Sequence, residues 1–201
     1  MAQIQEAGRG RQGREWVSRR GNFFGSTIVD LAPGDPPPQS LSLAAGLALI
    51  EAAETAAPDL PLLLKWPNDL VVGGAKVGGV LLERHGERVV VGFGVNLAAA
   101  PDIPERPAAH LGGRVTPEAF APLLAGAMGR MLMLWRTTDP RDFAKAWLAR
   151  AHPVGTDLSV HGADAAAVRG QFAGIEPDGT LRLLLADGSV ELVRAGDVAL
   201  G

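Results

Sequence analysis

Gly8-Arg9-Gly10-Arg11-Gln12-Gly13-Arg14, with Trp16 two residues further on, puts three glycines and three arginines into seven positions. Glycine lets a backbone approach a ligand closely, and arginine supplies a fixed charge and a forked set of donors matched to phosphate or carboxylate oxygens. The stretch decides the fold because Gly8, Gly10 and Gly13 satisfy a literal G-x-G-x-x-G. Between a buried strand and the start of a helix, that pattern marks a dinucleotide-binding domain. The context excludes this reading: the seven residues before Gly8 form no buried parallel strand, and Glu15 to Gly21 does not open an amphipathic helix. A basic loop remains, either one that handles anions or a solvated turn. If it is extended, Arg9 and Arg11 project to the same side.

The rest of the chain is not basic. Its 201 residues carry a net charge of −3, 47% are hydrophobic and 20% charged, a globular composition without the basic excess of a nucleic-acid-binding surface. The arginine cluster is therefore local. No cysteine is present, which removes disulfides, thiol catalysis and cysteine-ligated metals. His85, His110, His152 and His161 follow no metal-ligand spacing. No apolar run approaches the length, about 20 residues, that spans a bilayer, and the N-terminus has no signal-peptide core. A cytoplasmic protein is expected, with neither nucleic acid nor membrane as partner.

Downstream, Asn22 to Val29 reads as a strand, and Ala32 to Pro38 as a proline-rich loop. Ser40 to about Ala56 reads as a buried helix with Ser40 as candidate cap. Leu60–Leu64, Asp69–Val72, Lys76–Glu83 and Glu87–Leu97 read as four short strands, with Gly73-Gly74 as a turn. Ala98 to Val115 lacks periodicity and reads as a long loop. Pro117–Trp135 and Pro140–Ala151 read as helices, with Met128, Met131 and Met133 as core filler. After Pro153 short apolar stretches alternate with Gly155, Gly162, Gly170, Gly174, Gly179, Gly188 and Gly196, the pattern of a small all-β barrel. A boundary near Pro153 divides the chain into 1–152 and 153–201.

Two further constellations carry chemistry. Leu62-Leu63-Leu64-Lys65-Trp66-Pro67-Asn68-Asp69 delivers one lysine from an apolar strand into a stiff turn. Apolar neighbours desolvate Lys65 and strengthen its attraction for an anion that reaches it; an exposed lysine beside a proline turn is the plainer reading. Asp69 suits the turn better than a magnesium site. In Val91-Gly92-Phe93-Gly94-Val95-Asn96, strand alternation puts Gly92 and Gly94 on one face. Glycine weakens a strand unless something lies close against it, here a ligand or a packed helix. Asn96 either meets a nucleotide or caps a turn.

Gln5 to Trp16, Lys65-Trp66-Pro67-Asn68-Asp69-Leu70, Lys76-Val77-Gly78-Gly79-Val80-Leu81-Leu82-Glu83 and Gly92-Phe93-Gly94-Val95-Asn96, in that order and spacing, resemble the biotin protein ligases. The resemblance implies an α+β fold: a mixed sheet with flanking helices, like the class II aminoacyl-tRNA synthetases, and a small SH3-like β-barrel. It implies that ATP and biotin are substrates, that Mg²⁺ assists, and that biotin passes through biotinyl-AMP to a lysine of a biotin carboxyl carrier protein, a subunit of acetyl-CoA carboxylase. A homodimer is compatible with it. By resemblance, Gln5 contacts biotin, and Arg9, Gly10 and Arg11 belong to the loop that closes over biotin and its adenylate. Trp16 steadies that loop, Lys65 holds the biotin carboxylate and the α-phosphate, and Lys76 and Asn96 lie on the nucleotide side. Lys65 and Arg11 are the expected catalytic cations.

The sequence departs from the family pattern in two respects. Family members carry a further strand and helix with a Ser/Thr-Asn motif before the arginine-glycine segment. Here Met1 stands four residues before Gln5, so a shortened catalytic domain without a helix-turn-helix domain is expected. Gln12 stands where arginine is common. An inactive remnant that binds biotin or the carrier is one alternative; a lipoate–protein ligase is another, but the arginine-glycine loop and Lys-Trp-Pro-Asn-Asp fit the biotin branch better.

Overall fold

The computed structural model describes residues 1–104, 106–161 and 167–200; Gly162 lies outside them. Eight residues of extended, β-prone sequence form β1 (Phe23–Asp30), and the proline-rich loop after it leads into α1 (Leu41–Ala56). Four strands follow, β2 (Leu62–Lys65), β3 (Asp69–Val72), β4 (Ala75–His85) and β5 (Arg88–Val95). Each joins the next through a tight turn: Trp66-Pro67-Asn68, with a cis Trp66–Pro67 peptide, then Gly73-Gly74, then Gly86-Glu87. Hairpin turns make neighbours antiparallel. The sheet order is β1-β5-β4-β3-β2, and every strand pairing in it is antiparallel. The mixed sheet expected from the resemblance is thus corrected: among the described residues parallel pairing enters only at the isolated bridges Leu64–Ala151 and Lys76–Ala108.

Because β1 and β2 occupy opposite edges of the sheet, α1 carries the chain across it. Eleven of the 16 residues of α1 are buried, as expected for a helix apolar all round and covered on every side. The sheet covers one side, and α2 (Pro117–Thr137) and α3 (Pro140–Leu148) the others. Thr116 and Asp139 cap these two helices, each accepting a hydrogen bond from a first-turn amide, with proline at the first helical position. Ser40 acts differently from its expected capping role. Its hydroxyl donates to Pro37 O and accepts from Trp135 Nε1, tying α1 to α2. Met128 is buried, whereas Met133 is 58% exposed and is not core filler.

The second sheet comprises β6 (Asp157–His161), β7 (Val168–Ile175), β8 (Leu181–Leu184), β9 (Val190–Val193) and β10 (Asp197–Leu200). It is antiparallel in the order β10-β6-β7-β8-β9, with glycine at positive φ in its turns, as the glycine-punctuated pattern predicts. Leu158, Phe172, Leu181, Leu183 and Val198 belong to the same buried cluster as the core around α1. The two sheets therefore pack as one body. Among the described residues no helix is long and apolar enough to cross a membrane.

His152 lies at their junction. It is 4% exposed, its ring lies tilted against Phe172 with centroids 4.5 Å apart, and neither ring nitrogen has a close hydrogen-bond partner among the described residues. Burial pushes its pKa below 6.5, against a weak attraction to the Pro153 backbone and with the nearby Lys65 charge adding to the shift. The native state thus binds neutral histidine, while the unfolded chain takes up a proton below about 6.5, so stability is lost as pH falls from there toward the depressed native value. In urea unfolding between pH 7.5 and 5.5, wild type should lose up to about 1.4 kcal/mol per pH unit more than His152→Phe. Parallel pH dependences in the two proteins would refute this assignment.

Candidate active site

The arginine-glycine segment folds back on itself. The amide of Gly10 donates to Arg14 O at 2.7 Å and that of Trp16 to Gly8 O at 2.9 Å, while a short 3₁₀ turn at Arg11–Gly13 makes the tip. The turn sends the arginines apart. Arg9 is exposed and its backbone pairs with Glu15, whereas the Arg11 side chain is mostly covered and points to the body of the protein. The shared side expected of an extended segment is therefore not adopted. Gly10 lies within the loop's backbone pairing, and Gln5 is exposed at its base, its Oε1 accepting from Ser18 Oγ at 3.4 Å.

Trp16 anchors the loop on the sheet. Its indole lies against Gly94, where an added Cβ would fall 2.6 Å from the ring carbons, so glycine there is required by close approach. Val91, Phe93 and Val95 face the core, and Gly92 and Gly94 the opposite side. A Cβ at Gly92 would meet only the backbone oxygen and Cβ of Leu81, at 3.6 Å or more. Gly94 is thus roofed by Trp16, and Gly92 is comparatively open.

Four cations and two carboxylates gather where the loop meets the two sheets. Lys65 ends β2 and stands opposite Asp69 in the β2–β3 register. Asp69 is taken up by Lys76, at 2.5 Å, and the Lys76 ammonium sits 5.4 Å from the Trp16 ring. Asp197, at the start of β10, is taken up by Arg14 in direct contact. Arg11 donates to Gly196 O at 3.0 Å and stands 3.9 Å from Asp197. Among the described residues Lys65 makes no ion pair at all. Burial pulls the Lys65 pKa below 10.5, with Lys76 and Arg14 adding repulsion and Asp69 and Asp197 opposing. Burial likewise lowers the pKa of Arg11, against the attraction of Asp197 and Asp69. The cluster has two positive charges in excess, and the least compensated cations are Lys65 and Arg11. Such a place attracts two anions and holds them next to each other.

Asn96 lies outside this open charge. It is 3% exposed, its Nδ2 donates to Ala109 O at 3.1 Å, and its Oδ1 accepts from Asn22. Asn22, fully buried, accepts from the amides of Ala98 and Ala99, so the two asparagines pin the ends of the 98–115 segment. The side-chain groups that Asn96 would offer a nucleotide are committed to that task.

The sequence reading missed Arg14 and Asp197. Arg14 was visible as part of the basic loop, but nothing local distinguishes it from Arg9. Asp197 comes from a strand 183 residues away and belongs to no motif.

A model of the biotin/lipoate A/B protein ligase family matches residues 1–97. The chain is 38% identical to a biotin–[acetyl-CoA-carboxylase] ligase of Paracoccus denitrificans, over all of this chain and 89% of the relative. It is 34% identical to the enzyme of that name from Mycobacterium tuberculosis, over 98% of this chain and 77% of the relative. The biotin protein ligase of Aquifex aeolicus, solved in complex with biotin and ATP, superposes with a TM-score of 0.84 at 25% identity, covering 99% of this chain and 86% of that one.

Proposed function

This chain belongs to the biotin–[acetyl-CoA-carboxylase] ligase family, and we propose that it joins biotin to a carrier-protein lysine at the expense of ATP, with Lys65 and Arg11 as its catalytic cations. It is a ligase, and its first step must bring a carboxylate onto the α-phosphorus of ATP. Two anions that repel each other in water have to meet, so cations fixed in advance at the meeting point lower the barrier. The observation that carries the assignment is that the two carboxylates of the cluster are taken up at close range by Lys76 and Arg14, which leaves Lys65 with no ion pair among the described residues and Arg11 with only a 3.9 Å approach to Asp197.

In this reading the biotin carboxylate attacks the α-phosphorus, pyrophosphate leaves, and a mixed anhydride forms. The Lys65 ammonium stabilises the carboxylate and the α-phosphate oxygens, and Arg11 adds charge from the loop above. Biotin rests on the Gly92 side of β5, with Trp16 as wall and the loop Gly8–Trp16, including Arg9 and Gly10, as cover. The anhydride is hydrolysable, and the cover excludes water from it. An acceptor lysine amine then attacks the acyl carbon and AMP leaves. Lys76 holds Asp69 away from Lys65, which keeps Lys65 for the substrate. Gln5 belongs to the biotin end, and Asn96 supports the nucleotide wall through the segment it pins.

Magnesium fits poorly as a protein-bound ion. Among the described residues no three His, Asp or Glu side chains converge, and the two carboxylates of the site are engaged by Lys76 and Arg14. No step is assigned to it. The reading takes residues 1–152 as the catalytic part and 153–201 as the SH3-like part, a biotin carboxyl carrier protein as acceptor and the cytoplasm as compartment. A homodimer is compatible with β1 as an edge strand.

Biotin-dependent transfer to a purified carboxyl-carrier domain, with lipoate in parallel, tests the proposal. Transfer of biotin with ATP cleaved to AMP is expected. Transfer of lipoate in preference would move the chain to the other branch, and the absence of both transfers would overturn the reading.

A further inference from the structure

Apart from its own backbone bonds, the loop is fastened to the body at two points among the described residues. One is Trp16 on Gly94. The other is electrostatic and comes from the second sheet. The Arg14 Nη2 contacts Asp197 Oδ2, its Nε donates to Arg11 O at 3.4 Å, and Arg11 Nη1 donates to Gly196 O at 3.0 Å. Asp197 is well supported, because β10 pairs with β6 through Asp197–His161 and buries Val198. The Arg14–Asp197 pair is about one-third exposed on both sides, so it is partly desolvated and stronger than an open surface pair.

The two arginines are used unequally. Arg14 has its Nη2 engaged by Asp197 and its Nε by the loop backbone. Arg11 has its Nη1 on the neutral Gly196 carbonyl and 3.9 Å from Asp197, while its Nε and Nη2 make no hydrogen bond among the described residues. We propose that Asp197 is a positioning residue that latches the arginine-glycine loop through Arg14 and thereby leaves Nε and Nη2 of the Arg11 guanidinium to meet the substrate anions. The proposal rests on the biotin ligase reading and extends it, giving the second sheet a part in retaining the adenylate.

The test uses the full chain with Asp197→Ala, Asp197→Glu, Arg14→Ala and the Asp197→Ala/Arg14→Ala double variant. Hydrogen exchange of the amides at positions 8–16 is read without any ligand, and KM for biotin and release of biotinyl-AMP into solution are read during turnover. In Asp197→Ala, loop exchange and KM for biotin should each rise about tenfold, with kcat within about twofold, as for loss of one partly buried charge pair. Biotinyl-AMP should escape into solution, and the thermal midpoint should stay unchanged. Asp197→Glu should restore the loop, and the double variant should be within about twofold of Arg14→Ala alone, because the two changes share the close Arg14–Asp197 pair and the 3.9 Å approach of Arg11 to Asp197 adds little. Unchanged loop exchange in Asp197→Ala, additive effects in the double variant, or a lowered thermal midpoint without rescue by Glu would each overturn the latch. If wild type forms no biotinyl-AMP, the ligase reading fails, and the ligand-free exchange still decides on the latch.

Discussion

Lys65→Ala should slow biotin-dependent pyrophosphate release by roughly 10²- to 10³-fold, the cost of removing one preorganised charge from a developing anion. The protein should stay folded. Lys65 is half-buried and has no ion-pair partner among the described residues, and its lowered pKa records that the folded state holds its charge at a cost. Removing that charge relieves desolvation, so the urea midpoint of Lys65→Ala at pH 7 should equal or exceed that of wild type. The sign follows from linkage: a lysine with a depressed native pKa binds its proton less tightly when folded, and its charged form opposes folding. The same depression should bring the basic limb of the rate profile below pH 10.5, and Lys65→Arg should move that limb out again while restoring only part of the rate. A guanidinium keeps the charge but has a different reach and fork. Near wild-type pyrophosphate release by Lys65→Ala, in a folded protein, would remove Lys65 from the mechanism.

The legibility of this site in the sequence follows the range of its contacts. The hairpins β2 to β5 were readable because each turn carries its own chemistry, Pro67 and then two glycine-bearing turns, and the helices because proline and a capping oxygen mark their starts. Lys65 was readable because an apolar strand runs straight into it. Gly92 and Gly94 pointed to a close approach without saying by what, and for Gly94 the neighbour is Trp16 from the chain's own loop. What the sequence hid depends on pairing at a distance. Ser40 looks like a cap, but its hydroxyl serves Trp135, 95 residues on. Asn96 looks like a ligand-binding strand end, but burial against Asn22 and Ala109 consumes its amide. Arg14 and Arg9 are equivalent in sequence, and only the turn at Arg11–Gly13 decides which one meets Asp197. The antiparallel direction of β1 against β5 depends on how α1 crosses the sheet, which periodicity does not encode.

Trp66→Ala should destabilise the protein by about 3–5 kcal/mol, the range for truncating a large buried aromatic to alanine. Trp66 is 2% exposed, and its Nε1 donates to Gly179 O at 2.8 Å, a residue of the β7–β8 turn in the second sheet. The side chain therefore fills core on one sheet and satisfies backbone on the other. Two losses combine in the alanine variant, a cavity next to α1 and an unpaired Gly179 carbonyl. Trp66→Phe separates them: it keeps most of the volume, loses the hydrogen bond, and should cost only about 1 to 2 kcal/mol. Against a typical stability of about 5–15 kcal/mol the alanine change is severe, and urea unfolding reads it directly. A loss under about 1 kcal/mol would mean that the site collapses around the missing ring and that Trp66 does not couple the sheets. The coupling has a consequence for the active site, since Lys65 precedes Trp66 in the chain and Asp197 holds the loop from the same second sheet. A Trp66→Ala protein kept folded at low temperature should therefore bind biotin more weakly than wild type, with Lys65 and Arg11 both intact, because one of the contacts that align the two halves aiming them is lost.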